Sequence, residues 1–417
     1  MNLLVVPKPL FNADMHVEGY YFSHQMGNVL IGGGVSTQHD RAAHSPLLEL
    51  ISKVGLEALT MQKIIFVPVT PILLMTDIET NCNENEYEHI VLLLDGGEIA
   101  IDKKILDRLA HFKELGFKIG FENITEANLE NLKTALPFVD YIFSTLPKVP
   151  MGRLMSALRA HSMRIKIVAA DLETSLMFQQ MKILGVHLFD GSFYKLPTSS
   201  GETTIAPMKI NYIQLLNTIN SDDFELESFT KIVRQDASLT VQFVRLVNSS
   251  YSLSSEVKSL KQAAAILGQK EIKRWVTTAV TSSMGSDKPS EVTRLSMLRA
   301  RFCENLAGLF DLGMYRDDLF LAGLFSVIDV VLDIPLDKAL ELIFLPDRVK
   351  NALVSGHGEI AEVMDFVKIY EQGNWHGVSR IALLRNLKIN DIHEAYVSAV
   401  VWYSNLIREG LSQGGEG

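Results

Sequence analysis

Acidic side chains follow several short β-rich runs in the first half of the chain: Asp95, Glu122 with Asn123, Asp171 and Asp190. Carboxylates are hard oxygen donors, and two or three that converge can hold a magnesium-type cation. Acids at such points also serve as first-turn helix residues, favoured by the helix dipole, or as solvated loop residues. Nothing in their spacing makes them converge. His16, His24, His39 and His44 crowd the N-terminal segment, and His39-Asp40 is the one His-Asp dipeptide. His39 and His44 do not share a helical face, so they read as loop residues rather than metal ligands. His357, His376 and His393 are followed by Gly, Gly and Glu. No HExxH, P-loop or GxSxG is present, and Gly32-Gly33-Gly34 lacks the strand and lysine of a phosphate cradle.

The elements that would position these groups differ between the two halves. Up to about residue 195, three- to six-residue largely apolar runs alternate with amphipathic stretches. The runs are Leu3–Val6, Val17–Phe22, Ile64–Val69, Ile90–Leu94, Phe117–Phe121, Tyr141–Ser144, Ile165–Ala169 and His187–Phe189. Continuous apolar runs of this kind suit parallel strands buried on both faces. Between them, Ser45-Pro46 caps a helix carrying Leu47, Leu50, Ile51 and Val54, and Ile101, Ile105, Leu106 and Leu109 form a stripe that Gly116 stops. Further helices are expected over Thr125–Ala135, Met151–His161 and Glu173–Leu184. Eight such runs imply a closed (β/α)8 barrel of TIM type, with catalytic groups at the C-terminal strand ends. The first two runs lack a helix between them, and residues 23–41 read as a long loop.

Leu196–Pro207 is rich in proline and small polar residues and reads as a linker. Beyond it the strand signal vanishes. Ser259 and Gln262 form a capping box before Ala263–Leu267, with Gly268 as a stop, and Ile272, Trp275, Val276, Ala279 and Val280 make one helical stripe. Helical patterns continue over Pro289–Phe310, Asp317–Val331, Pro335–Phe344, Glu359–Tyr370 and Asp391–Ile407. The expected organisation is a barrel over 1–197, a linker over 198–208 and an all-helical domain over 209–417.

Composition narrows the function. The 417 residues carry 39 Lys and Arg against 49 Asp and Glu, a net charge of −10, which gives no general attraction to nucleic acid. Lys270, Lys273 and Arg274 form a small basic cluster, read as a solvated helix face. Two cysteines, Cys82 and Cys303, make neither a disulfide framework nor a Cys-rich zinc site, and Cys303 reads as a buried apolar residue. The N-terminus has no signal-peptide pattern, and the longest apolar run, Leu319–Ile328, is about half a membrane span. A cytoplasmic protein without a membrane segment is expected.

The order of motifs resembles the EAL-plus-HDOD fusion proteins of bacterial cyclic di-GMP-type signalling across nearly the whole chain. In the second half, Asp236-Ala-Ser-Leu-Thr, then Leu246-Val-Asn248-Ser249-Ser, Ser259-Leu-Lys-Gln-Ala, Ile266-Leu-Gly268 and Tyr370-Glu-Gln-Gly-Asn-Trp375 are similar to the HDOD part. Pro7-Lys-Pro-Leu-Phe11 and Val17-Glu-Gly-Tyr20 are similar to the start of an EAL domain. Active EAL domains hydrolyse cyclic di-GMP with two metal ions bridged by carboxylates.

By that resemblance this chain keeps the scaffold and loses the chemistry. Tyr21 stands at the metal-binding glutamate and Gln25 at the phosphate-binding arginine of the namesake motif. Pro68 replaces a metal-binding asparagine and Leu92 a glutamate. Glu122-Asn123 replaces paired aspartates and Phe143 a lysine. Ala170 stands at the base, Glu173 is retained, and Asp190 replaces a glutamine. The helical half likewise lacks the metal ligands of HD phosphohydrolases; only Asp329 remains where their His-Asp pair would stand, facing solvent or a polar contact. The resemblance therefore implies no catalysis, no cofactor or metal, and weak or absent cyclic di-GMP binding. It implies an adaptor that contacts other signalling proteins, such as a sensor kinase, response regulator or cyclase, with room for a homodimer. A cyclic di-GMP receptor and a residual phosphodiesterase using Asp95, Glu122, Glu173 and Asp190 are the alternatives.

Overall fold

Ile90–Asp95 shows why the first half closes on itself: its five apolar residues are all buried, alternately on opposite faces, and only the terminal Asp95 emerges. In the computed structural model, which describes residues 3–30, 45–124, 126–145, 165–197, 205–221, 259–411 and isolated positions between 229 and 257, eight such strands form a closed barrel. They are β1 (Leu3–Phe11), β2 (Val17–Met26), β3 (Ile64–Val69), β4 (Ile90–Asp95), β5 (Lys118–Glu122), β6 (Tyr141–Thr145), β7 (Lys166–Leu172) and β8 (Leu188–Gly191), paired in sequence order. β2 to β8 are parallel, whereas β1 is antiparallel to both neighbours because a short turn joins it directly to β2. The expected barrel is present, with one reversed strand.

β1 and β2 are longer than the sequence pattern predicts. β2 pairs with β3 only over Gly19–Tyr21, and its remainder pairs with Leu3–Pro7 as a two-stranded ribbon. Pro7 and Pro9, which interrupt the apolar run, sit on the open edge of β1. Tyr370 identifies that edge: its hydroxyl donates to Val5 O at 2.9 Å and accepts from Val5 N at 3.2 Å. Backbone direction alternates along a strand, so Pro7 and Pro9 share the edge of Val5, where an absent N–H breaks no ladder bond.

Caps behave as the residue types dictate. Ser45 accepts from Leu48 N at the start of α1 (Pro46–Val54), and Asp102 caps α2 (Lys103–Leu115), which ends at Gly116 with φ 102°. Thr174 caps α3 (Ser175–Ile183). The predicted helix over Met151–His161 lies outside the described residues.

The second half is helical throughout its described residues: α4 (Pro207–Asn220), α5 (Leu260–Met284), α6 (Ser290–Leu306), α7 (Arg316–Phe325), α8 (Glu359–Glu371), α9 (Trp375–Leu384) and α10 (Ile389–Leu411), with shorter segments between. Ser259 caps α5 as predicted. Gly268, expected to stop that helix, is a break with φ 77° after which it resumes. α9 was not expected; Asn374, whose side chain accepts from Gly377 N, starts it.

Contacts divide the chain into two compact units: Met1–Leu196 with Ile369–Glu394, and Pro197–Lys368 with Ala395–Gly417. The chain thus passes between units three times rather than once. Within the first unit, α9 docks near the β1–β2 ribbon. Ser379 accepts from Val29 N through its hydroxyl (3.2 Å) and from Asn28 Nδ2 through its carbonyl (3.0 Å). Replacing Tyr370 by Phe leaves Val5 N–H and C=O buried without partners. We expect a loss of about 2 kcal/mol, read as a shift in the urea midpoint at unchanged m-value.

Candidate functional site

Alternation along the strands decides which predicted positions share the barrel interior. One buried cluster collects Leu10, Phe66, Val91, Leu93, Tyr141, Phe143, Val168 and Leu188, with Tyr21 and Ile64 packed against it. Gly120 belongs to the same interior: a Cβ there would meet the side chains of Leu93 and Val91 at 3.0 and 3.2 Å. Leu92 is not in the cluster. It is fully buried on the other face of β4, so the inward residues of that strand are Val91, Leu93 and Asp95. Placing Leu92 among the pocket residues is therefore a slip of one position: the side-chain period of two turns a one-residue error into the opposite face.

Four aromatic rings meet in this interior. Phe143 packs on Phe66 with ring centroids 4.9 Å apart and on Tyr21 at 5.9 Å, and Phe66 meets Tyr141 edge-on at 5.0 Å. Pro68 lies beyond the last β2–β3 pair, where β3 has only β4 as a partner. Gln25 is on the ribbon, its amide donating to Met26 O at 3.0 Å.

The four acids at the strand ends differ in their contacts. Asp95 pairs in register with Glu122, but its carboxylate accepts from Gly97 N (2.7 Å) and Asn123 Nδ2 (2.8 Å). Asn123 itself has φ 54°, a left-handed conformation that asparagine tolerates. Burial, then the charges of Asp95 and Glu98, push the Glu122 carboxyl up to about 7. A bulge in β7 puts Asp171 at φ 60°, exposed, beside Gly191. Only glycine fits at 191, because a Cβ would lie 1.9 Å from Leu172 O. Burial pushes Asp190 up to about 6; Lys8, the Asp171 N–H and Lys195 counter this, while the Asp171 charge adds to it. Asp190 is 7 % exposed. Ala170 is buried at the bulge, and Glu173 is exposed. Burial first, then Glu122, Asp190 and Asp171, raise the Tyr21 phenol far above its ordinary value, so it stays protonated.

These residues do not make a hard-cation site. Among the described residues, no three His, Cys, Asp or Glu side chains are grouped to hold a metal ion.

A pH dependence follows. The folded-state pKa of Glu122 lies above its ordinary value of 4.5, so folding favours its protonated form. Its contribution is full below about pH 4.5 and is lost as pH rises through about 7. Glu122→Gln should match the wild type in thermal stability near pH 4.5 and exceed it at pH 8, as calorimetric scans across that range would show.

In the helical unit, the basic cluster differs from the solvated face expected. Arg274 is held by Glu304 at 2.7 and 2.5 Å and lies over the Phe320 ring at 4.3 Å. Asp329 is half-buried, with a pKa raised by burial against the opposing charge of Arg299. Cys303 is buried, as expected. Trp375 packs edge-on against Tyr370 at 5.5 Å. Asp236, Asn248 and Ser249, like His39, Asp40 and His44, lie outside the described residues. No local pattern announces the Tyr370–Val5 pairing, whose partners are 365 residues apart.

A closed eight-stranded barrel followed by helices is the layout that the resemblance to an EAL-like domain joined to an HDOD domain implies. Residues 205–341 match the family model of the HDOD domain. The uncharacterized protein YuxH of Bacillus subtilis is 25 % identical over 415 residues, covering 98 % of this chain and 99 % of that one. The cyclic di-GMP phosphodiesterase CdgJ of Vibrio cholerae is 28 % identical over 277 residues, 66 % of this chain, which spans 64 % of that relative's length. The EAL domain of Xanthomonas citri FimX in complex with c-diGMP is similar with a TM-score of 0.36 and 11 % identity, covering 46 % of this chain and 86 % of that one. The chain joins an EAL-like (β/α)8 barrel to a helical region that matches the HDOD family model, and it is similar to YuxH over nearly its whole length and to CdgJ over two thirds of it. No helix among the described residues is long and apolar enough to cross a membrane.

Proposed function

We propose that this protein is a non-catalytic signalling adaptor, with a degenerate EAL-like barrel over 1–197, a linker over 198–208 and an HDOD domain over 209–417 that contacts protein partners. The observation that carries this reading is the aromatic packing of Tyr21, Phe143 and Phe66 at the barrel mouth. Two-metal phosphodiester hydrolysis needs several oxygen ligands to fix both ions against the attacking and leaving oxygens. Tyr21, Pro68, Phe143 and Ala170 bring a protonated phenol and apolar side chains to positions that match the family's motif. Leu93 replaces Leu92 as the inward apolar residue of β4. Gln25 has no guanidinium for a bidentate phosphate contact. Glu122 and Asp190 remain, with carboxyls shifted toward protonation.

Such a barrel is a scaffold rather than a catalyst, and cyclic di-GMP binds it weakly or not at all. Its partners are other signalling proteins of the cytoplasm, in the class of a sensor kinase, response regulator or cyclase, and a second copy of the chain is a further candidate. Nucleic acid is disfavoured by the net charge of −10. Isothermal titration of the full chain with cyclic di-GMP and magnesium should give no saturable heat at micromolar concentrations. Sub-micromolar binding would instead establish a nucleotide receptor. The named activity of CdgJ favours a second reading, a residual phosphodiesterase built on Asp95, Glu122, Glu173 and Asp190. Turnover abolished by Glu122→Gln would support that reading over the adaptor.

A further inference from the structure

Residues 369–394 belong to the barrel unit, although they lie far beyond the last strand of the barrel in sequence. They grip the β1–β2 ribbon from several positions. Tyr370 pairs its hydroxyl with Val5 N and O on β1. His393, on α10 and 6 % exposed, hydrogen-bonds the backbone of Leu3. Ser379 on α9 holds Asn28 and Val29 just past the end of β2. Gly373, at φ 68°, lies so close to β2 that a Cβ would stand 2.8 Å from Ser23 Oγ.

The grip on β1 replaces a missing strand. Leu3, Val5, Pro7 and Pro9 share the outer edge, and proline has no N–H. Val5 therefore supplies the one backbone donor on that edge between Leu3 and Phe11. The Tyr370 hydroxyl accepts from it and donates to the Val5 carbonyl, as a neighbouring strand would. The ladder between β1 and β8 is the single pair Phe11–Phe189, so most of this edge has no strand beside it. The ribbon leads on to the barrel mouth: Val5 pairs with His24 and Lys8 with Tyr21, and Tyr21 packs on Phe143 at 5.9 Å.

At both ends the segment runs unbroken into helices of the other unit. α8 belongs to the helical unit up to Lys368, and α10 from Ala395 onward. Asn305, on α6, donates to Ala395 O at 2.8 Å, two residues beyond His393 on the same helix.

We propose that residues 369–394 are a strap by which the helical half governs the ordering of the β1–β2 ribbon and, through Tyr21, of the barrel mouth. Engaged, the strap completes the edge of β1. Released, it leaves Val5 N–H and C=O to water and the ribbon frays, a local opening short of global unfolding. A partner that binds the helical half more tightly in one of these two states shifts the balance between them. The device works whether or not the mouth binds a nucleotide.

Hydrogen–deuterium exchange of the full chain, read by mass spectrometry, tests this with two variants. Tyr370→Phe should speed exchange over residues 3–11 and 17–26 about tenfold and leave residues 90–95 and 118–122 at the wild-type rate. Asn305→Ala, in the other unit, should speed exchange over the same ribbon about threefold, again with the two reference strands unchanged. A ribbon that responds to Tyr370→Phe but not to Asn305→Ala would make the segment a passive seal and overturn the proposal. An unchanged ribbon in both variants, or acceleration spread equally over all the strands, would overturn it as well.

Discussion

Phe66→Ala should lower the stability of the barrel unit by about 3–5 kcal/mol. Phe66 is fully buried and is the ring on which the interior aromatics converge, with Tyr141 at 5.0 Å and Phe143 at 4.9 Å. Truncation removes the transfer energy of a benzyl group, both edge-on contacts and the filling of the lumen. A closed barrel cannot shrink to recover that volume, so the cost should fall in the upper part of the range for buried phenylalanines. Urea unfolding followed by tyrosine fluorescence should show an earlier midpoint, with the helical unit's transition in place. A loss under 1 kcal/mol would mean that the aromatic packing is not what fills the mouth. Phe66→Ala adds space but no oxygen donor, so it should not create metal binding.

A loss of similar size is expected in the helical unit from Glu304→Ala. Glu304 is 5 % exposed and accepts from Arg274 at 2.7 and 2.5 Å and from Arg301 at 2.7 Å. Removing it leaves two guanidinium groups beside Phe320 and Trp402 without their counter-charge. Breaking one side of a buried ion pair costs about 3–5 kcal/mol, because the remaining charge stays desolvated. Burial works to raise the Glu304 carboxyl, but the Arg274 and Arg301 contacts outweigh it and hold the pKa below the ordinary value. Its stabilisation is therefore present above about pH 4.5 and is lost as pH falls through the lower folded value. Glu304→Ala should lower the denaturation midpoint at pH 7 and remove that part of the acid sensitivity; an unchanged midpoint at pH 7 would refute the role.

The barrel was legible because buried parallel strands leave short unbroken apolar runs, and Ser45, Gly116 and Ser259 mark helix ends by chemistry local to each. The missed features depend on distant partners. Pro7 and Pro9 read as a strand end until Tyr370 marks their edge as open. Ser23-His24-Gln25 carries no strand signal, yet it is β2 because Leu4–Val6 pairs with it. In the site, Tyr21, Phe143 and Ala170 were found by matching motifs. Leu92 was misplaced because β4 is apolar on both faces, so its sequence offers no alternation with which to fix the inward set. The raised pKa values of Glu122 and Asp190 come from burial, which no local pattern reports.

Manganese titration of the full chain with cyclic di-GMP present, followed by electron paramagnetic resonance, tests the central claim most directly. The aromatic mouth predicts a free-ion signal rising in proportion to added metal from the first addition. Uptake of two ions per chain, lost on Glu122→Gln, would contradict it.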